Sequence, residues 1–135
     1  MSTDQPPVPD WLFNLKDETR GIPRTLSEGL KTRIFSGEHV MLSFVRIEPH
    51  SQGKMHSHPE EQWGVLMEGA CIRIQEGEEI SVKAGDFWYS AGHVPHGIRT
   101  ESEGAFILDI FGPPRPEYKK AGTGFGRVKG ESGET

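Results

Sequence analysis

Four residues have the types and the spacing to hold a metal ion: His56, His58, Gln62 and His96. Side chains two apart on an extended strand project to the same side, so the imidazoles of His56 and His58 are able to share one ion. Gln62 follows the turn at Pro59 and comes back across from them on a paired strand. Imidazole nitrogen and amide oxygen are borderline-to-hard donors suited to first-row divalent metals. The expected cofactor is one divalent transition metal ion (iron, nickel, zinc or manganese), because such ligands do not by themselves choose among them. Four protein ligands leave one or two positions open on a five- or six-coordinate ion, which separates a working site from a structural one. Gln62 is a neutral ligand, so the ion keeps its full double charge and acts as a stronger Lewis acid.

The elements that must position these groups are strands. Short β-rich runs separated by turn residues fill the chain between Lys31 and Phe111, at the spacing of a sandwich or barrel. The runs are 31–35, 39–47, 53–58, 62–68, 70–76, 79–82, 87–90, 96–100 and 105–111. Seventeen glycines and ten prolines in 135 residues mark many tight turns and argue against a helical bundle. A segment from Gly85 through Phe87-Trp88-Tyr89 and the Ala91–Pro95 loop delivers His96 at the start of a strand.

These two segments resemble the motifs of the cupin superfamily. The first motif is matched by His56, His58, Gln62 and Gly69, and the second by Gly85 and His96. Gln62 replaces the commoner glutamate, and Ala91 and His93 stand where the loop usually carries proline and glycine. The resemblance implies an all-β double-stranded β-helix, or jelly-roll, barrel. The run Asp109-x-Phe111-x-x-x-Arg115 narrows it to the small cupins that linearise 4,5-unsaturated uronates in pectin and alginate breakdown, and implies that these three residues line the metal pocket. Glu60 stands where those enzymes often carry another histidine.

Strand alternation puts Asp109 and Phe111 on one face, and an inward carboxylate is costly unless it has a partner or a task. Asp109 is therefore the expected proton carrier, Phe111 the pocket wall and Arg115 the bidentate holder of a substrate carboxylate. His93 and Tyr118 are further candidates for substrate contact. The leading expectation is a metal-dependent lyase or isomerase acting on a small acidic sugar. A ferrous dioxygenase is the second, since its three-histidine sites also leave two positions open. A non-catalytic ligand-binding barrel is the third, with Asp109 and Arg115 as a buried ion pair.

The net charge of −5 and the lack of a concentrated basic face exclude a nucleic-acid partner. No run approaches the roughly 20 apolar residues that span a membrane, and the N-terminus lacks the features of a secretory signal, so a cytoplasmic setting is expected. Cys71 is the only cysteine and reads as a small buried hydrophobe. Residues 1–10 and 119–135 are poor in large apolar side chains and read as a disordered N-terminus and a Gly-rich flexible tail around a barrel at 11–118. Trp11-Leu12-Phe13 must bury on the barrel or on a second subunit, and apolar residues on both faces of the strand at 105–111 point to a homodimer.

Overall fold

A computed structural model describes residues 8–125. Nine strands and one 3-10 turn follow in chain order: β1 Ile22–Ser27, β2 Leu30–Ser36, β3 Met41–Ile47, β4 Glu61–Gln75, β5 Glu78–Lys83, β6 Phe87–Ser90, β7 His96–Arg99, β8 Ala105–Gly112, the 3-10 turn Pro116–Lys119, and β9 Gly122–Thr123. The all-β barrel expected from the turn-rich composition is what forms.

One layer runs β9-β1-β2-β3-β8 and ends on the first half of β4, which β6 also joins. The other layer is built on the second half of β4, flanked by β5 and β7. β4 is therefore one strand in two layers, although its sequence reads as two. It bends at a register shift between Leu66 and Glu68 and at Gly69. Gly69 has φ +87, and a side chain there would run into the Gly104 carbonyl, so the corner requires glycine.

Alternation fills the interior. Leu30, Thr32 and Ile34 of β2, Met41, Ser43, Val45 and Ile47 of β3, and Ala105, Ile107 and Phe111 of β8 are all buried. Buried Thr32 and Ser43 satisfy one another through a 2.6 Å hydroxyl–hydroxyl hydrogen bond. Cys71 joins this core, and burial pushes its thiol up to about 12.

Three segments differ from the expectation. Ile22–Ser27 is a strand despite Pro23, because it sits near the sheet edge between β2 and the two-residue β9. The stretch 53–58 is not a continuous strand; this part of the chain makes only isolated bridges, Gln52 to Arg99 and His56 to His96. The chain beyond Tyr118 lies on the barrel as far as Phe125, which is buried. Residues 1–7 and 126–135, on which most of the expected disorder falls, lie outside the described residues. Phe13 packs edge-on against Phe35 at 5.1 Å, whereas Trp11 stays exposed. Among the described residues no helix is long and apolar enough to cross a membrane.

Candidate metal centre

The His56–His96 bridge and the start of β4 bring the predicted ligands to one end of the barrel. Ring nitrogens of His56, His58 and His96 all lie within 4.8 Å of one another, and all three residues are buried. Each ring is oriented by the backbone two residues away. His56 Nδ1 bonds the Lys54 carbonyl at 2.8 Å, His58 Nδ1 the Glu60 carbonyl at 3.0 Å, and His96 Nδ1 the Val94 carbonyl at 2.9 Å. A carbonyl only accepts, so each Nδ1 carries the proton and each Nε2 presents its lone pair. Burial holds the three imidazoles well below the usual histidine range, to about 4 for His56, about 3 for His58 and about 2 for His96. All three are neutral near pH 7, as metal ligands must be.

Two atoms test whether an ion fits. His96 Nε2 is buried with no hydrogen-bond partner among the described residues. Gln62 Oε1 lies 3.0 Å from His58 Nε2, although the first hydrogen bond commits that nitrogen to its lone-pair form. The other end of the Gln62 amide lies toward Asp109, whose carboxyl it lowers; an ionised carboxylate only accepts, which turns the amide nitrogen to Asp109 and the oxygen to His58. Two lone pairs therefore face each other across 3.0 Å, the separation of adjacent ligands held about 2.1 Å from one metal ion. The residues present fit a divalent cation, with His56, His58, His96 and Gln62 as its holders.

The same cavity is lined by Asp109, Phe111, Arg115 and Tyr118. Asp109 stands opposite Gly64 on β4 and Ser43 on β3. Burial pushes its carboxyl up to about 6, partly opposed by Arg73, the Gln62 hydrogen bond and Arg115. Arg115 is 1% exposed. Its guanidinium lies 4.1 Å over the Tyr118 ring and 5.4 Å from that of Phe111, while its Nε and Nη1 are buried without a hydrogen-bond partner among the described residues. Tyr118 is raised above the usual tyrosine range by its own burial. Among the described residues Asp109 and Arg115 form no ion pair; Arg115 Nε instead approaches Glu60 at 3.9 Å.

The structure does not bring His93 into this cavity. Its side chain is exposed, and its contribution is a backbone N–H donated to the His58 carbonyl at 2.7 Å. Two charged residues that the sequence did not assign to the site stand in it: Glu60, noted only for its place in the motif, and Arg73. Glu60, buried after Pro59, faces His58 Nδ1 at 3.5 Å. Arg73 lines the cavity from the second half of β4 and donates to Ser90 at 2.9 Å and to Gln75 at 3.2 Å. Its signal was present: Cys71, Arg73 and Gln75 alternate with Ile72 and Ile74, and here the polar set faces inward.

Residues 43–111, half of the chain, match the cupin domain family. The chain belongs to the cupin family. The cupin is 26% identical over 95 residues to the pectin degradation protein KdgF of Dickeya dadantii, a match that spans 69% of this chain and 86% of that protein. Its fold resembles an RmlC-like cupin from Shewanella frigidimarina, with a TM-score of 0.67 and 23% identity over 73% of this chain and 89% of the other. It also resembles KdgF from Halomonas, with a TM-score of 0.65 and 24% identity over 70% of this chain and 87% of the other.

Proposed function

We propose that this cupin is a metal-dependent isomerase or lyase that opens a small unsaturated uronate. The observation that carries the reading is one cavity lined by His56, His96, Gln62, Asp109, Phe111 and Arg115, with His58 Nε2 3.0 Å from Gln62 at its edge. The kinship with a pectin degradation protein supports the substrate class. A bound divalent ion would supply Lewis-acid polarisation of the sugar's oxygens.

The chain's own residues then divide the work. Arg115 pairs with the substrate carboxylate through Nε and Nη1, the donors without a hydrogen-bond partner among the described residues. Such a uronate is an enol ether closed by a hemiacetal. Asp109 takes the proton from the C1 hydroxyl as the C1–O5 bond breaks, giving an aldehyde and an enolate. It then returns the proton to C4, leaving a ketone at C5. Atoms balance without added water, and the buried Phe111 ring, 5.5 Å from that of His58, forms the wall that keeps water out. An Asp109–Arg115 ion pair, which a purely ligand-binding barrel would use, does not form among the described residues.

A second copy of the chain completes the proposal. Trp63, Phe87 and Tyr89 are 43%, 65% and 43% exposed on the outer face of β4 and β6, with Trp63 in ring contact with both others. Exposed clustered aromatics suit the centre of a homodimer interface. Light scattering should find a dimer that Trp63→Glu dissociates; a monomeric parent protein refutes this part.

The decisive experiment is elemental analysis of the protein and of His58→Ala, followed by incubation of the loaded protein with a 4,5-unsaturated galacturonate. One metal per chain, lost in the variant, with decay of the double-bond absorbance, is the expected result. Bound metal without turnover refutes the uronate reading, and oxygen uptake by the ferrous form is then the test of a dioxygenase.

A further inference from the structure

Phe125 lies outside the stretch matched by the family, yet it sits inside the cavity. Its ring packs on the His56 imidazole with centroids 4.6 Å apart, and it is 9% exposed. Its carbonyl accepts a hydrogen bond from Arg115 Nη2. The backbone leading to it is gripped from outside by Arg24, which donates to the carbonyls of Gly124 at 2.7 Å, Thr123 at 2.8 Å, Glu117 at 3.0 Å and Lys120 at 3.3 Å. Pairing with β1 adds the Gly124 N–H bond to the Thr25 carbonyl at 2.7 Å.

What fastens Gly122–Gly124 is polar, and the Phe125 ring at the end is the segment's single apolar anchor. Gly122-Thr123-Gly124 carries no large apolar side chain, and its hydrogen bonds exchange with water at little net loss. Elements held by one apolar side chain and exchangeable hydrogen bonds open at the low end of a protein's stability range. At its tip, however, it engages Arg115, whose Nε and Nη1 are buried without a hydrogen-bond partner among the described residues and whose nearest carboxylate, Glu60, stands at 3.9 Å. A neutral carbonyl satisfies Nη2 alone, whereas a carboxylate offers two charged oxygens to the same fork.

We propose that Gly122–Phe125 is a displaceable strap, and that a carboxylate ligand enters by taking Arg115 from the Phe125 carbonyl and expelling the Phe125 ring from the cavity. The inference rests on the carboxylate-binding role given to Arg115 above. The strap is then an internal competitor, and ligand affinity is lowered by the fraction of molecules in which it is open.

The test uses the full chain and galacturonate, which has the carboxylate but no double bond to react. Calorimetric titration should show that Phe125→Ala and Arg24→Ala bind it more tightly than the parent by about 10- to 100-fold, the range of one charge-assisted hydrogen bond. Arg24→Ala removes the outer grip while keeping the Phe125 ring, and Phe125→Ala removes the ring while keeping the grip, so the two variants check one another. In the unmodified protein, saturating galacturonate should speed chymotryptic cleavage after Phe125 about tenfold, read by mass spectrometry. Equal affinity in all three proteins, an unchanged cleavage rate, or no galacturonate binding by any of them overturns the strap. Failure to turn over the unsaturated uronate, with galacturonate affinity still tracking the strap, refutes the uronate reading alone.

Discussion

Replacing Gln62 by glutamate should convert the cupin from a protein that tolerates an empty site into one that depends on its metal. Gln62 donates to the Asp109 carboxylate, and its oxygen lies 3.0 Å from His58 Nε2. In Gln62→Glu the group beside Asp109 becomes a second carboxylate. Two full charges about 3 Å apart repel by about 5 kcal/mol at an effective dielectric near 20. Binding a proton is cheaper: holding one at pH 7 on a group of ordinary pKa about 4.3 costs about 4 kcal/mol. Part of that returns, because the protonated carboxyl at position 62 donates to Asp109 and restores the original hydrogen bond at about 1 kcal/mol. The metal-free variant should therefore lose about 2–4 kcal/mol at pH 7, a fall in Tm of roughly 10 °C for a domain of this size. The sign with pH follows from a folded pKa raised above its unfolded value: the deficit vanishes below about pH 4 and grows as pH rises. A saturating divalent ion takes up the second carboxylate as a ligand and should close most of the gap. Scanning calorimetry of both proteins, in chelator and in metal, is the assay. Equal Tm values for the two in chelator at pH 7 would refute the placement of Gln62 between His58 and Asp109.

Asp109→Asn should keep one metal per chain and lose about 100- to 10,000-fold in uronate opening, the usual contribution of a positioned acid–base group. Full activity in that variant removes Asp109 from the mechanism. Cys71, with its thiol pushed up to about 12, has about one molecule in ten thousand as thiolate at pH 8. Iodoacetamide should label it at least about 1,000-fold more slowly than a free cysteine until urea unfolds the chain; native labelling within about tenfold of the free rate would place the thiol outside the core.

The three histidines were legible because His56 and His58 stand two apart, a second turn–strand–loop segment delivers His96, and both segments resemble the cupin motifs, with Gln62 just past the turn at Pro59. Asp109 and Phe111 were legible through strand period, since one inward residue fixes the other. What hid the rest was local chemistry overruled by tertiary context. Pro23 and Arg24 make β1 read as loop, but an edge position accepts proline, and Arg24 spends its charge on backbone carbonyls. Gly69 reads as a break between two strands, whereas it serves as a bend within one. Arg73 was masked by the apolar Ile72 and Ile74 beside it, which suggest the opposite face as the core. Phe125 stands alone among glycines and gives no period at all. His93 has the right residue type in the right loop, yet its side chain turns outward.

The bend in β4 has a bearing on how the molecule comes apart. Its first half is zipped to β8 and β6 and its second half to β5 and β7, so neither layer has a complete set of neighbours without the other. Melting either layer strips one half of the shared strand and removes the template of the other. The two layers therefore form one cooperative unit, and backbone amides on both sides of Gly69 exchange with solvent only when the whole barrel opens. The segments free to move independently are those that hang on this unit from outside.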